Sequence, residues 1–211
     1  MSSGVGRRPG RPPAAKADET RQRIMRAARL VFSERGYDGA TFQAIAARAD
    51  LTRPAINHYF SSKRVLYREV LEQTNEAIIG TGIKVASRET TLAAQLTAFI
   101  TSAVQANSEN PAGSALIISG VLESQRHPEW NKTENESVRA VREFLDRVIK
   151  HAIERGEVAA DIDASALIES LVVIMCGVGL YAGWVESPQQ MLAVTGMLRQ
   201  LMEGGLLRPE A

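Results

Sequence analysis

Residues 41–60 read TFQAIAARADLTRPAINHYF, and the order of residue types in this stretch decides the fold. Thr41 is a good N-cap, and Phe42, Ile45, Ala46 and Ala49 follow at helical spacing, giving one apolar face. The ADL that comes next is a tight turn. Thr52 can cap a second short helix with Pro54 in its first turn, where proline is tolerated because that N–H has no partner in the helix. Ile56 and Phe60 are its inward pair. Each helix is too short to bury a core alone, so the two must pack together and against a third. Two short helices joined in this way form a helix-turn-helix, whose second helix lies in the major groove of DNA.

The outward residues fit that reading. With Ile56 and Phe60 turned in, Arg53, Ala55, Asn57, His58 and Tyr59 are left on the exposed side. Arg pairs bidentately with guanine and Asn with adenine, while His and Tyr suit phosphate. Thr52 and Lys63 flank the helix and suit phosphate contacts, and Thr41 is a further DNA-binding candidate. An ordinary solvated face would carry Lys and Glu here.

Upstream, Ile24, Ala27, Ala28, Val31 and Phe32 recur at helical spacing from Thr20 to Arg35, and Gly36 stops that helix before a YDGA turn. The first 18 residues are rich in Gly, Pro and Arg and show no apolar periodicity, which predicts an irregular basic arm. Its RRPGRPP run, with Arg7, Arg8 and Arg11, resembles a minor-groove-reading arm, although Pro9 stands where an AT-hook has Arg. Charge agrees. Residues 1–75 hold fourteen basic and seven acidic residues, net +7, while the whole chain is +1, so the remainder carries −6. The N-terminal part is built to meet a polyanion.

The run AARLVFSERGYDGATFQAIAARADLTRPAINHYFSSKRVLYREVL resembles the TetR family of one-component transcriptional regulators. Phe32, Gly36, Tyr37, Thr41, Ile45, Ala46, Thr52, Arg53, Tyr59, Phe60 and Lys63 all fall on the family pattern. Two positions depart from it. Asp50 replaces the usual turn glycine, a change the turn survives because Asp tolerates left-handed backbone. Asn57 stands where tyrosine is common, so base preference does not transfer from relatives. The resemblance implies an all-α, nine-helix subunit that dimerises, with a ligand-binding second domain that commonly releases DNA. The expected divisions are 1–18 arm, 19–66 DNA-binding domain and 67–211 ligand-binding and dimerisation domain.

The second domain reads as helices throughout. Ser62 caps a fourth helix that runs past Glu76. A fifth carries Leu92, Leu96, Phe99, Ile100 and Ala103. A sixth follows in ALIISGVLE, and a seventh is expected from about Pro128 to Arg155, with Val138, Val141, Leu145, Val148 and Ile149 inward. Asp163 caps the eighth, Pro188 opens the ninth, and Gly204–Gly205 ends it. The eighth is apolar nearly all round, so it must be covered on more than one side. A two-fold four-helix bundle made by the eighth and ninth helices of two subunits meets that need, with Gly177, Gly179 and Gly183 allowing close approach. The opposite face, with helices five to seven, is expected to line a ligand pocket: Leu96, Phe99, Ile100, Ala103, Leu116, Ile117, Gly120, Phe144, Val148, Val172, Met175 and Cys176. These residues carry no charge, which suits a long-chain, fatty-acid-like ligand better than a sugar or nucleotide. Glu123, Gln125, Arg126 and Asn131 are candidates for holding a polar head.

Other classes find little support. One cysteine, Cys176, excludes a disulfide framework, and the three histidines show no metal-ligand spacing, so no metal or cofactor is expected. No Ser-His-Asp grouping or phosphate loop suggests an enzyme. An unliganded architectural binder would not need so large an apolar second domain. The stretch from Ser170 to Val185, bracketed by Glu169 and Glu186, reads as a buried helix rather than a membrane span. No secretory signal is visible, and the expected place of action is the cytoplasm. The partners are then a double-stranded DNA operator, a second copy of the chain and a small hydrophobic ligand. A repressor and an activator of the same fold both remain open.

Overall fold

The computed structural model describes residues 13–110, 112–127, 130, 136–185 and 187–202. Every regular element among them is helical. Helix α1 (Pro13–Gly39) is broken at Gly36, whose φ of 66° is left-handed. Glycine enters that region without the Cβ clash that bars other residues, so the helix turns where the sequence indicated. Its start differs from expectation. Residues 13–18, assigned above to the arm, are the first turns of α1; the Ala-rich segment after Pro13 is a good helix former with proline where the helix tolerates it. Arg7, Arg8 and Arg11 lie outside the described residues.

Helices α2 (Phe42–Arg48) and α3 (Arg53–Tyr59) are capped as expected: Thr41 Oγ1 accepts from the Ala44 N–H at 3.1 Å and Thr52 Oγ1 from the Ala55 N–H at 3.4 Å. Between them Asp50 takes φ 52°, the one left-handed non-glycine backbone among the described residues. The Leu51 N–H closes the turn on the Ala46 carbonyl at 2.9 Å. Ile45, Ile56 and Phe60 join Ile24, Ala28, Val31, Phe32, Leu66 and Tyr67 in one core.

Helix α4 opens at its Ser62 cap as Lys63–Asn75, passes through one π-helical turn, Glu76–Gly80, and continues as Thr81–Ala86. Its first half is buried in the DNA-binding core and its second half belongs to the other domain. Helix α5 (Leu92–Glu109) is capped by Thr91. Helices α6 (Ala112–Arg126) and α7 (Glu136–Glu154) follow. The seventh helix therefore starts at Glu136 instead of Pro128. Trp130 sits in a separate turn, its N–H donating to the His127 carbonyl at 2.8 Å. Helices α8 (Ala164–Trp184, capped by Asp163) and α9 (Pro188–Met202) complete the described chain. The glycine pair expected to end α9 lies outside it.

The second core is a layer of α5, α7 and α8 side chains centred on Phe99 and Phe144, whose rings stack 5.4 Å apart, with Leu145, Val148 and Ile149 beneath. Arg142 of α7 grips Glu169 of α8 through two hydrogen bonds, 2.6 and 3.0 Å. Asn107 of α5 donates to the Ala182 carbonyl at 3.0 Å. Helix α8 is only half enclosed. Met175, Cys176 and Gly179 look inward, whereas Val173, Gly177, Leu180 and Trp184 form an outward stripe, with Trp184 81 % exposed. The sequence reading of a buried helix is thus met on one side only. By length and composition α8 could cross a membrane, and one chain covers little of it.

Candidate DNA-reading surface and apolar pocket

The exposed face of α3 carries Arg53, Asn57 and His58, and Ala55 and Tyr59 are half-buried at its margins. Tyr59 also packs on the DNA-binding core, so it is held more firmly than a free surface side chain. Ile56 and Phe60, both almost fully buried, fix which side of α3 looks out. Three outward polar side chains on a short, capped helix are what major-groove readout requires.

Lys63 departs from its expected role. Its ammonium donates to the carbonyls of Tyr37 at 2.7 Å, Ala40 at 3.1 Å and Asp38 at 3.4 Å, and it lies 4.3 Å from the centre of the Tyr37 ring. An ammonium has three N–H donors. All three are directed at the carbonyls that follow the break at Gly36, of which that of Tyr37 also accepts the Ala40 N–H at 3.3 Å. In the chain without DNA, Lys63 is a clamp on that turn.

The pocket lies between α4, α5, α6, α7 and α8, with a cavity volume of about 90 Å3 and a mouth open to solvent. Of the residues expected to line it, Phe99, Ile100, Ala103, Ile117, Val172, Met175 and Cys176 do so. Five do not. Leu96, Phe144 and Val148 fill the second core. Leu116 belongs to the DNA-binding core, and Gly120 faces α4, where an added Cβ would stand 2.9 Å from a Leu71 methyl. The two faces of α6 explain the error. Its stripe Gly113, Leu116, Gly120, Glu123 packs on α1 and α4, while Ser114, Ile117, Ile118 and Val121 face the pocket. Both stripes are short or apolar, so composition does not tell them apart.

Several lining residues escaped the sequence reading. Ile78 and Ile79, on the π-helical turn of α4, form one wall, and Val138 and Val141 of α7 form another. Among the described residues, Ser114 and Ser137 are the only hydroxyls in the lining, and none of the lining side chains is charged. Burial raises the Cys176 thiol pKa, with Arg142 acting weakly the other way, so the thiol stays protonated at neutral pH. Gly179 also turns into the pocket, towards Ile118, and is not available to a partner helix. Glu123, proposed for a polar head, is buried against Gly36 of α1 and pairs with Arg126 at 3.2 Å. Arg126 is exposed, and neither it nor Gln125 lines the cavity. Asn131 lies outside the described residues.

Residues 24–70 match the family model described as bacterial regulatory proteins, tetR family, and residues 87–177 match a tetracyclin repressor-like C-terminal domain. The transcriptional regulator SrpR of Pseudomonas putida is 30 % identical over 183 residues, covering 85 % of this chain and 82 % of SrpR. The transcriptional activator FasR of Mycolicibacterium smegmatis is 38 % identical over 89 residues, 42 % of this chain and 39 % of FasR. In three dimensions the chain is similar to FadR of Bacillus subtilis, solved in complex with stearoyl-CoA: TM-score 0.73 at 18 % identity, covering 89 % of this chain and all of the solved one. A helix-turn-helix with a polar outward face, a second helical domain around an apolar pocket, and these matches together place the chain in the TetR family of DNA-binding transcriptional regulators.

Proposed function

We infer that this regulator is a repressor released from its operator by a long-chain acyl ligand held in the apolar pocket. The observation that carries the reading is the course of α4. One helix is buried in the DNA-binding core at Leu66 and Tyr67 and lines the pocket at Ile78 and Ile79. A ligand that displaces the pocket wall moves the same rod that carries the reader. It shifts the equilibrium only by its differential affinity for the two positions.

The lining chemistry selects the ligand class. Apolar walls with, among the described residues, two hydroxyls and no charge suit a hydrocarbon chain, whose polar end stays at the mouth. FadR, similar in fold, was solved with stearoyl-CoA, which is consistent with that choice and points weakly to genes of lipid transport or of fatty-acid and hydrocarbon metabolism.

The working unit in this reading is a homodimer in the cytoplasm, closed by α8 and α9. The outward stripe of α8, together with Leu192, Met197 and Leu201 of α9, leaves exposed apolar side chains for a second copy to cover. Two recognition helices then sit at the spacing of successive major grooves, about 34–36 Å.

The test is operator affinity, on a duplex selected from a random pool, measured against fatty acids and acyl-CoA thioesters of graded length. Release that depends on chain length is expected. Ala103→Trp, which fills the pocket, should blunt the response while leaving DNA binding intact. If no chain length changes affinity or thermal stability, the acyl reading is wrong. The match to FasR, an activator, favours a second reading in which the ligand promotes DNA binding; the sign of the affinity change separates the two.

A further inference from the structure

Where α6 meets the end of α1, the side chains of Asp38, Glu123 and His127 converge. One potential ligand atom from each lies within 4.8 Å of the others. His127 Nε2 stands 3.8 Å from Glu123 Oε2 and 3.8 Å from Asp38 Oδ1. Both separations are too long for hydrogen bonds. Glu123 is 3 % exposed, and its Oε2 has no hydrogen-bond partner, Arg126 having taken Oε1. A buried carboxylate oxygen without a donor is costly, and this one is directed at the imidazole and at Asp38.

We propose that these three side chains bind a divalent transition-metal ion, with Zn2+ the best match to one imidazole and two carboxylates. Tetrahedral Zn2+ with ligands at about 2.0–2.1 Å requires donors about 3.3–3.4 Å apart. The two 3.8 Å separations from the imidazole close to that with a shift of a few tenths of an ångström, and the two carboxylates, within 4.8 Å of each other, close with a swing of the Asp38 side chain. Asp38 is mostly exposed and free to make the shift. Its open side leaves the fourth position to water. The sequence hid the site because Asp38 is far from the other two, and because Glu123 and His127 form an i,i+4 pair whose shared face shows only in the folded chain.

The position gives the ion a consequence. Asp38 belongs to the DNA-binding domain, and Glu123 and His127 to the end of the helix that lines the pocket. His127 also stacks on Trp130 with ring centres 4.0 Å apart, and Trp130 meets Tyr37 at 4.6 Å. Bound metal ties the two domains in the arrangement seen here. The site is independent of the acyl reading.

The test uses the full-length chain, freed of metal with a chelator and titrated calorimetrically with Zn2+, alongside thermal unfolding. One Zn2+ per subunit is expected. With Zn2+ about a hundredfold above its Kd, the melting temperature should rise by about 5–10 °C. His127→Gln should abolish both effects. Asp38→Asn, isosteric and on a mostly exposed side chain, should preserve the fold yet weaken binding by about tenfold or more. Uptake unchanged in both variants, or none by wild type, overturns the proposal and leaves an imidazole set between two carboxylates.

Discussion

The Lys63 ammonium donates to the Tyr37 carbonyl at 2.7 Å and lies 4.3 Å from the centre of the same residue's ring. The contact joins the first residue of α4 to the turn that ends α1. It makes a lysine expected on DNA a support for the reader as well.

Lys63→Met removes a charged donor and a cation–π contact while keeping the aliphatic stem. A loss of about 2 kcal/mol is expected, or about 4–8 °C in melting temperature for a chain of this size. If the clamp is the whole role of the ammonium, the log–log salt dependence of DNA binding should keep its slope. Thermal unfolding and salt-titrated DNA binding check the two halves. A flatter slope with unchanged stability would restore the phosphate role.

Arg53 and Asn57 are exposed side chains on the helix that Ile56 and Phe60 orient. Arg53→Ala and Asn57→Ala should each cost about 1–3 kcal/mol on the cognate duplex. Scrambled duplex should lose much less, so specificity relaxes. Equal losses on both duplexes would make the residue a backbone contact.

Val173 and Leu180 lie on the outward stripe of α8, 70 % and 62 % exposed in one chain. Leu180→Glu or Val173→Glu should leave the subunit folded and shift it from dimer to monomer in sedimentation velocity. Operator affinity should fall with it, since two half-sites are no longer engaged together. A variant that stays dimeric would show that a different face closes the dimer.

Cys176 lines the pocket, and its thiol is kept protonated by burial. Alkylation at neutral pH should be slow, because the thiolate is the nucleophile. A bound acyl chain should slow it further by covering the sulfur. Mass spectrometry after timed exposure to a maleimide, with and without a long-chain fatty acid, measures both effects.

Glu157 accepts from the Leu92 N–H at 2.7 Å, helping to cap α5 from the loop after α7, and hydrogen-bonds to Arg155. The Arg155 bond, then the Leu92 bond, hold its pKa below the ordinary glutamate value. A depressed carboxylate pKa gives stability that is full above the unfolded-state value, about 4.3, and is lost as pH falls through the folded-state value. Glu157→Gln should therefore melt below wild type at neutral pH, and the gap should close in acid. A gap that persists in acid would assign the effect to packing.

The DNA-binding domain was legible in residues 20–71 because its determinants are local. Thr41, Thr52 and Ser62 cap helices they immediately precede, and Asp50 takes the left-handed turn its side chain allows. Ile56 and Phe60, four apart, leave one orientation for α3. Such signals act within a turn or two of chain, so their meaning does not depend on distant residues. The second domain yielded its helices but not their orientation. Apolar-to-polar contrast is what orients a helix from sequence, and α6 and α8 have little of it. Leu116 and Ile117 are neighbours in sequence, yet one enters the DNA-binding core and the other the pocket. Only the packing of α6 on α1 and α4 decides between them. The same packing brings Asp38 to Glu123 and His127, and the packing of α4 on α1 brings the Lys63 ammonium to the carbonyls that follow the break at Gly36.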